Sequence, residues 1–281
     1  LRTDGTLWAW GSNLDGQLGD GTTINRMTPA QIGTATDWVS IASGNDYILA
    51  IKSNGTLWGW GRNEYGQLGD GTTINKTVPT QIGTATDWKM VAPGVMHTLA
   101  LKTNGTLWAW GSTTYGRLGN GISTTIEITS PIQIETATDW KSVGAGYLHS
   151  VGVKTDGTLW GWGHNSDGQL GDGATAYKTT PTQIGTETNW KDVDANRYHS
   201  SMGIKADGTL WAWGYNDYGQ LGDGTKNRRF TPTQIGTSND KQSIALGSYN
   251  TFVINTNGFL SGCGRNEYGQ IAVSYTHLTL P

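Results

Sequence analysis

Six copies of one phrase govern what this chain can fold into. DGTLWAWG starts at Asp4, NGTLWGWG at Asn54, NGTLWAWG at Asn104, DGTLWGWG at Asp156, DGTLWAWG at Asp207 and a decayed NGFLSGCG at Asn257, at spacings of 50, 50, 52, 51 and 50 residues. Self-similarity at a period of about 20 to 50 residues is the signature of solenoids and propellers. Read from the second copy, one unit holds NGTLWGWG (54–61), GQLGDGT (66–72), VPTQIGT (78–84), DWKMVAPG (87–94) and HTLALKT (97–103). Four short apolar runs bounded by Gly, Pro, Asn or Asp read as four strands per unit.

The Asp-Gly or Asn-Gly pair in each phrase predicts a hairpin, because a type I′ turn needs positive φ at both central residues. In TLWAW the side chains alternate, so Trp108 and Trp110 share one face while Leu107 and Ala109 share the other. The residue between the tryptophans is always small: Ala9, Gly59, Ala109, Gly161, Ala212. A bulky face repeated beside a small one packs copy against copy. Burying an indole removes roughly 150–250 Å² from water, on the order of 4–6 kcal/mol before entropic corrections. All 14 tryptophans sit at repeat positions, ten in WxW and four at Trp38, Trp88, Trp140 and Trp190, so they are read as core and not as sugar platforms.

Composition narrows the function classes. Charged residues are 15% and the net charge is -3, which leaves no basic stripe for nucleic acid. The single Cys263 excludes an internal disulfide and a Cys-based zinc site. No apolar run approaches ~18 residues, and the opening LRTDGT carries no leader, so a chain without membrane insertion is expected.

The unit GxxHTLALKTNGTLWAWGxNxxGQLGDGT…PxQIG…W, with VGAGYLHSVGV (143–153) as its clearest instance, resembles the RCC1 repeat, named for the regulator of chromosome condensation. The resemblance covers about residues 1–270. It implies an all-β fold, an RCC1-like β-propeller of four-stranded antiparallel blades, typically seven. Five complete blades can be drawn here with incomplete edges, an arc of such a propeller, in one domain over 1–270. The family spans a nucleotide exchange factor, a plant ultraviolet receptor, a bacterial β-lactamase inhibitor and bacterial surface proteins, so fold does not fix function. The Gly-Trp-Arg-His-Thr cluster of the ultraviolet receptor has no counterpart: Val95-Met96 precede His97-Thr98. Near-identical copies rich in Thr, Asn and Gly are similar to secreted or surface RCC1-type proteins of bacteria, which sets the expectation of an extracellular or cell-surface setting.

Leu1-Arg2-Thr3 matches the end of a repeat strand, Leu101-Lys102-Thr103, while IAVSYTHLTLP (271–281) matches nothing in the repeat and reads as a foreign tail. Unpaired edge strands in such an arc invite self-association.

In an antiparallel meander the turns alternate between two ends. The Asp-Gly hairpin and the GTATDW turn share one end; the GxxH turn and the long crossover from WG to the Pro strand share the other. The hairpin end barely changes between copies, whereas the crossover end varies in length and chemistry. Recognition of an asymmetric partner belongs on the variable end. Candidate binding residues are Asp46, Tyr65, Met96, Tyr115, Leu148, Tyr198, Tyr218, Arg228, Arg229, Phe230 and Tyr249, of types enriched at protein interfaces. They suggest a non-enzymatic protein-binding scaffold. A structural spacer, a propeller enzyme and a lectin are the alternatives.

No catalytic set, metal site or cofactor motif stands out. His97, His149 and His199 occupy one repeat position, but equivalent points on neighbouring blades lie ~10 Å or more apart, too far to share an ion. Tyr47 and Asn250 replace His there, which points to hydrogen bonding. LDGQLGDGT lacks the oxygen ligands of a calcium loop, and Cys263 aligns with a blade tryptophan, a buried and inert place. Asp192 and Asp194 pair without a second catalytic group.

Overall fold

A computed structural model describes residues 1–271. These form two compact units, the first from residues 1–114 and 124–138, the second from 115–123 and from 139 on.

In the first unit β1 (Trp8–Gly11) pairs with β2 (Arg26–Gln31). A four-stranded sheet follows in the order β3 (Trp38–Ser43), β4 (Tyr47–Lys52), β5 (Leu57–Gly61), β6 (Lys76–Gln81). A second repeats it with β7 (Trp88–Pro93), β8 (His97–Lys102), β9 (Leu107–Ser112) and β10 (Glu127–Ile134). The second unit holds the sheets β11 (Trp140–Ala145), β12 (His149–Lys154), β13 (Leu159–Gly163), β14 (Lys178–Ile184), and β15 (Trp190–Ala195), β16 (Ser200–Lys205), β17 (Leu210–Gly214), β18 (Arg229–Ile235). Three further strands, β19 (Lys241–Leu246), β20 (Asn250–Asn255) and β21 (Leu260–Gly264), complete what is described.

All pairings are antiparallel, as the propeller reading requires. Each sheet is phased from the Trp38-type strand, so the Pro-containing strand closes the sheet of the WxW strand that precedes it. Among the described residues that gives five blade sheets, four of four strands and one of three, beside the β1–β2 pair. The tail expected to be foreign lies outside the described residues from 272 on. No described helix is long and apolar enough to cross a membrane.

The repeated phrase explains itself at atomic scale. Thr56 Oγ1 donates to Asn54 Oδ1 at 2.7 Å and accepts the Trp58 indole N–H at 2.9 Å, so one hydroxyl ties the turn to the first tryptophan. The same chain of bonds recurs at Asp156, Thr158 and Trp160. In four copies the second tryptophan is the buried one, with Trp60, Trp110, Trp162 and Trp213 at most 1% exposed, whereas Trp10 of the first copy is 59% exposed and departs from the core role expected of all the tryptophans. Trp110 Nε1 donates to the backbone oxygen of Gln67, 43 residues earlier, at 2.8 Å. Gly69 lies against that indole with φ +82, where a Cβ would come within 2.7 Å of Nε1. The sequence GQLG is therefore the seat of the following copy's tryptophan, and bulk packs against small as expected.

The crossover has its own organiser. Asn63 Nδ2 donates to Asp70 Oδ1 at 3.0 Å and to the carbonyls of Thr72 and Ile74, while its Oδ1 accepts Leu68 N–H at 2.9 Å. In the equivalent loop burial would raise the Asp20 carboxyl, but bonds from Thr22, Arg26 and Asn13 hold it down at about 2. These carboxylates serve the loop itself, and no described group of three or more His, Cys, Asp or Glu could hold a metal ion.

Candidate functional site: the aromatic face of the second unit

The variable end of the second unit carries a continuous run of rings. Tyr177 meets Tyr115 at a centroid distance of 6.3 Å, Tyr115 meets His164 at 4.7 Å, and His164 meets His199 at 5.0 Å. His199 stacks on Tyr147 at 5.9 Å, Tyr147 on Tyr198 at 6.4 Å, and Tyr198 lies 4.0 Å from Tyr249. Tyr218 follows at 4.7 Å and Tyr215 at 6.4 Å, with the Arg228 guanidinium 5.0 Å from the Tyr215 ring. The run is half open to solvent: Tyr115 is 41%, Tyr198 44% and Tyr218 37% exposed.

The backbone beneath is strained where the rings converge. Tyr115 and His199 have φ of 60 and 54, the left-handed region that costs a non-glycine residue about 1 kcal/mol or more. Such conformations persist only where surrounding contacts fix them. His199 Nδ1 donates to Asp167 Oδ2 at 2.6 Å, and the other Asp167 oxygen takes the Arg228 guanidinium. Asn196 Oδ1 accepts the amides of Tyr198 and Ser200, fixing the loop from below.

The shared His position is hydrogen-bonded at both His149 and His199, as expected, but to different kinds of partner. His149 fills the repeat role, its Nε2 3.0 Å from Ser201 Oγ on the next sheet, as Tyr47 OH reaches Thr98 Oγ1 in the first unit. Burial pushes the His149 imidazole down to about 3, with His199 and His164 adding to the effect. His199 instead leaves the strand, because Asp167 captures its ring and β16 starts one residue later than β12 does.

Among the residues expected to bind, Tyr115, Tyr198, Tyr218, Tyr249 and Arg228 come together in this array. Phe230 flanks it by packing on Gly168, next to Asp167. Leu148 is half-buried and gives its carbonyl to His164 N–H. Arg229 is engaged elsewhere, in an ion pair with Asp223 at 2.6 Å that repeats those of Lys76 with Asp70 and Lys178 with Asp172. In the first unit Asp46 and Tyr65 gather around Arg62, whose guanidinium lies 5.6 Å from the Tyr65 ring, while Met96 is half-buried and its carbonyl holds Ser112 N–H.

Sequence reasoning passed over His164, Asp167, Tyr147 and Tyr215. Their signal was present: His164 stands where other copies carry Ser12, Arg62, Ser112, Tyr215 and Arg265, a position with no structural residue to conserve.

Antiparallel four-stranded sheets repeated at a fixed period, with the variable loops gathered at one end, define a propeller-type repeat fold. A model described as RCC1-like domain matches residues 1–202, and one for the regulator of chromosome condensation (RCC1) repeat matches 207–254. The chain belongs to the RCC1-like family.

It is similar to the X-linked retinitis pigmentosa GTPase regulator homolog of Caenorhabditis elegans, 37% identical over 78 residues, 27% of this chain and 6% of that one. The secretion-regulating guanine nucleotide exchange factor of Mus musculus is 34% identical over 84 residues, 29% of this chain and 18% of its own. The chain thus spans less than a fifth of these relatives. Among solved structures, Prp20p from Saccharomyces cerevisiae, described with its binding properties to Gsp1p and histones, aligns with TM-score 0.80 at 25% identity over 94% of this chain and 68% of that one. Yeast RCC1 (Prp20) bound to Kap60 gives 0.82 at 23%, over 95% and 67%. These relatives come from animals and yeast, so the bacterial affinity expected from the repeats is not borne out.

Proposed function

We propose that the chain is a non-enzymatic protein-binding scaffold and that its contact surface is the aromatic face of the second unit. The observation that carries this reading is the uninterrupted run from Tyr115 to Tyr218, built from positions that differ between copies while the scaffold beneath repeats. Half-exposed tyrosines beside arginines are the composition of binding hot spots. The family likeness supports a protein partner: Prp20p is described with Gsp1p and histones, and the mouse relative is named an exchange factor. Low charge and a surface rich in Thr, Asn and Gly favour an extracellular or cell-surface setting as part of the same proposal, which surface biotinylation of the source cells checks.

The test places a photo-crosslinking residue at Tyr198 and, as control, at Thr188 on the hairpin end of the same unit. A partner trapped at position 198 alone is then purified and titrated. Tyr198→Ala with Tyr249→Ala is expected to weaken it about 30-fold, roughly 2 kcal/mol. Equal affinity for the double variant would remove this face from consideration.

A further inference from the structure

The array has one joint that cannot accept a proton without breaking. Gln169 Oε1 accepts the Asp167 amide at 2.9 Å, which fixes which end of its amide group points where. Its Nε2, a donor only, therefore faces His164 Nδ1 at 2.9 Å, and that nitrogen must be the acceptor of a neutral imidazole. A proton on Nδ1 would set donor against donor. Turning the Gln169 amide would relieve the clash only by giving up the Asp167 amide, beneath the carboxylate that holds His199 and Arg228.

We infer that His164 is an acid-operated joint of the aromatic face: protonation at Nδ1 expels its ring from Gln169, parts Tyr115 from His199, and releases the strained loops that carry both. This regulation rests on the binding role assigned above to the same surface.

The charged surroundings act in one direction. His164 faces His199 at 5.0 Å and Tyr115 at 4.7 Å, with Arg117 close enough to oppose a second positive charge. From the sheet below comes His149, held neutral by burial. Asp167 is the carboxylate that opposes this repulsion, and it is already shared between His199 and Arg228, with Asp217 3.6 Å from the Arg228 Nε. Burial first and the His199 charge second hold the His164 imidazole below its ordinary value. The sign follows: the closed face binds fewer protons than the open one, so closure is complete above the ordinary imidazole range and is lost as pH falls through it. His164 thus links two segments whose left-handed φ, 60 at Tyr115 and 54 at His199, needs holding in place.

The experiment uses the protein alone. The His164 Cε1–H resonance is titrated by NMR, and amide exchange is followed at Asp167, Tyr198 and Ser200, the three amides bonded to Gln169 and Asn196 side chains. Exchange at these sites, corrected for intrinsic rates, is expected to rise about tenfold or more between roughly pH 7.5 and pH 5. Core amides of β12 serve as the unchanged reference. In Gln169→Glu a carboxylate oxygen replaces the donor, so His164 should titrate at higher pH than in the parent and the acid response should shrink to less than about twofold.

A parent His164 that titrates at or above the ordinary value, or loops equally protected at both pH values, would overturn the inference, and neither result depends on the variant folding. Because no partner enters, the two readings fail separately. Flat exchange alongside Tyr198-dependent binding defeats the joint alone, and acid release with no effect of Tyr198→Ala on a partner defeats the surface.

Discussion

Asp194 stands where the other copies carry Ala42, Ala92, Gly144 and Ala245. Its carboxylate accepts the Ala195 amide at 2.8 Å and, from the neighbouring sheet, the Leu246 amide at 3.2 Å. Two residues away, Asp192 takes the Ser142 hydroxyl from the sheet on the other side. Burial dominates and pushes the Asp194 carboxyl up to about 7; the two amides oppose it and Asp192 adds to it. A carboxyl raised on folding favours the folded state while protonated, so its contribution is full in acid and is lost as pH rises from the unfolded value of 3.8 through about 7. Asp194→Asn keeps the shape and one acceptor without the charge. It is expected to flatten the pH dependence of urea unfolding across that window, at a pH-independent cost from setting its NH2 against one of the two amides. Parallel profiles for parent and variant would show that the carboxyl is not desolvated in the folded state.

At the scale of elements, the glycines of one repeat separate two causes of conservation. Gly171, at φ +83, leaves a Cβ only 2.9 Å from the Trp213 indole, whereas Gly185, at φ +66, has nothing within 4 Å. Gly185→Ala therefore costs the left-handed backbone alone, about 1 kcal/mol. Gly171→Ala adds a collision with a ring that is 0% exposed and bonded to Gln169 O at 2.9 Å, and should cost about 3 kcal/mol or more by urea denaturation. Trp213→Ala should cost about 3–5 kcal/mol. The same contrast explains what could be read in advance. The hairpins, the paired tryptophans and the two ends of each sheet are governed by contacts within one copy or between equivalent positions, so periodicity exposes them. The phase of the sheets, the Asn63 type of loop organiser and the flip of His199 depend on bonds made across a crossover. Asp167, which draws His199 out of its repeat role, lies 32 residues upstream and is Tyr65 or Tyr115 in other copies. Nothing local to His199 announces that capture.

For the molecule as a whole, charge decides how a partner would be held. The net charge is -3, and three arginines at the variable end of the second unit are ion-paired within it: Arg228 with Asp167 and Asp217, Arg229 with Asp223, Arg265 with Glu267. With these three guanidiniums paired, the face offers a partner chiefly rings and hydroxyls, and a net charge of -3 gives no field to attract a polyanion. Affinity would then come from covering Tyr115, Tyr198 and Tyr218, an area term that simple salt does not screen. Binding of a partner trapped at Tyr198 should change by less than about threefold between roughly 50 and 500 mM salt, and duplex DNA should not be retained at about 150 mM. Fluorescence titrations at several ionic strengths measure both. A fall of about tenfold or more would mean that the partner opens these ion pairs and binds the released charges, in which case Asp217→Asn and Glu267→Gln should alter the salt slope while Tyr198→Ala should not.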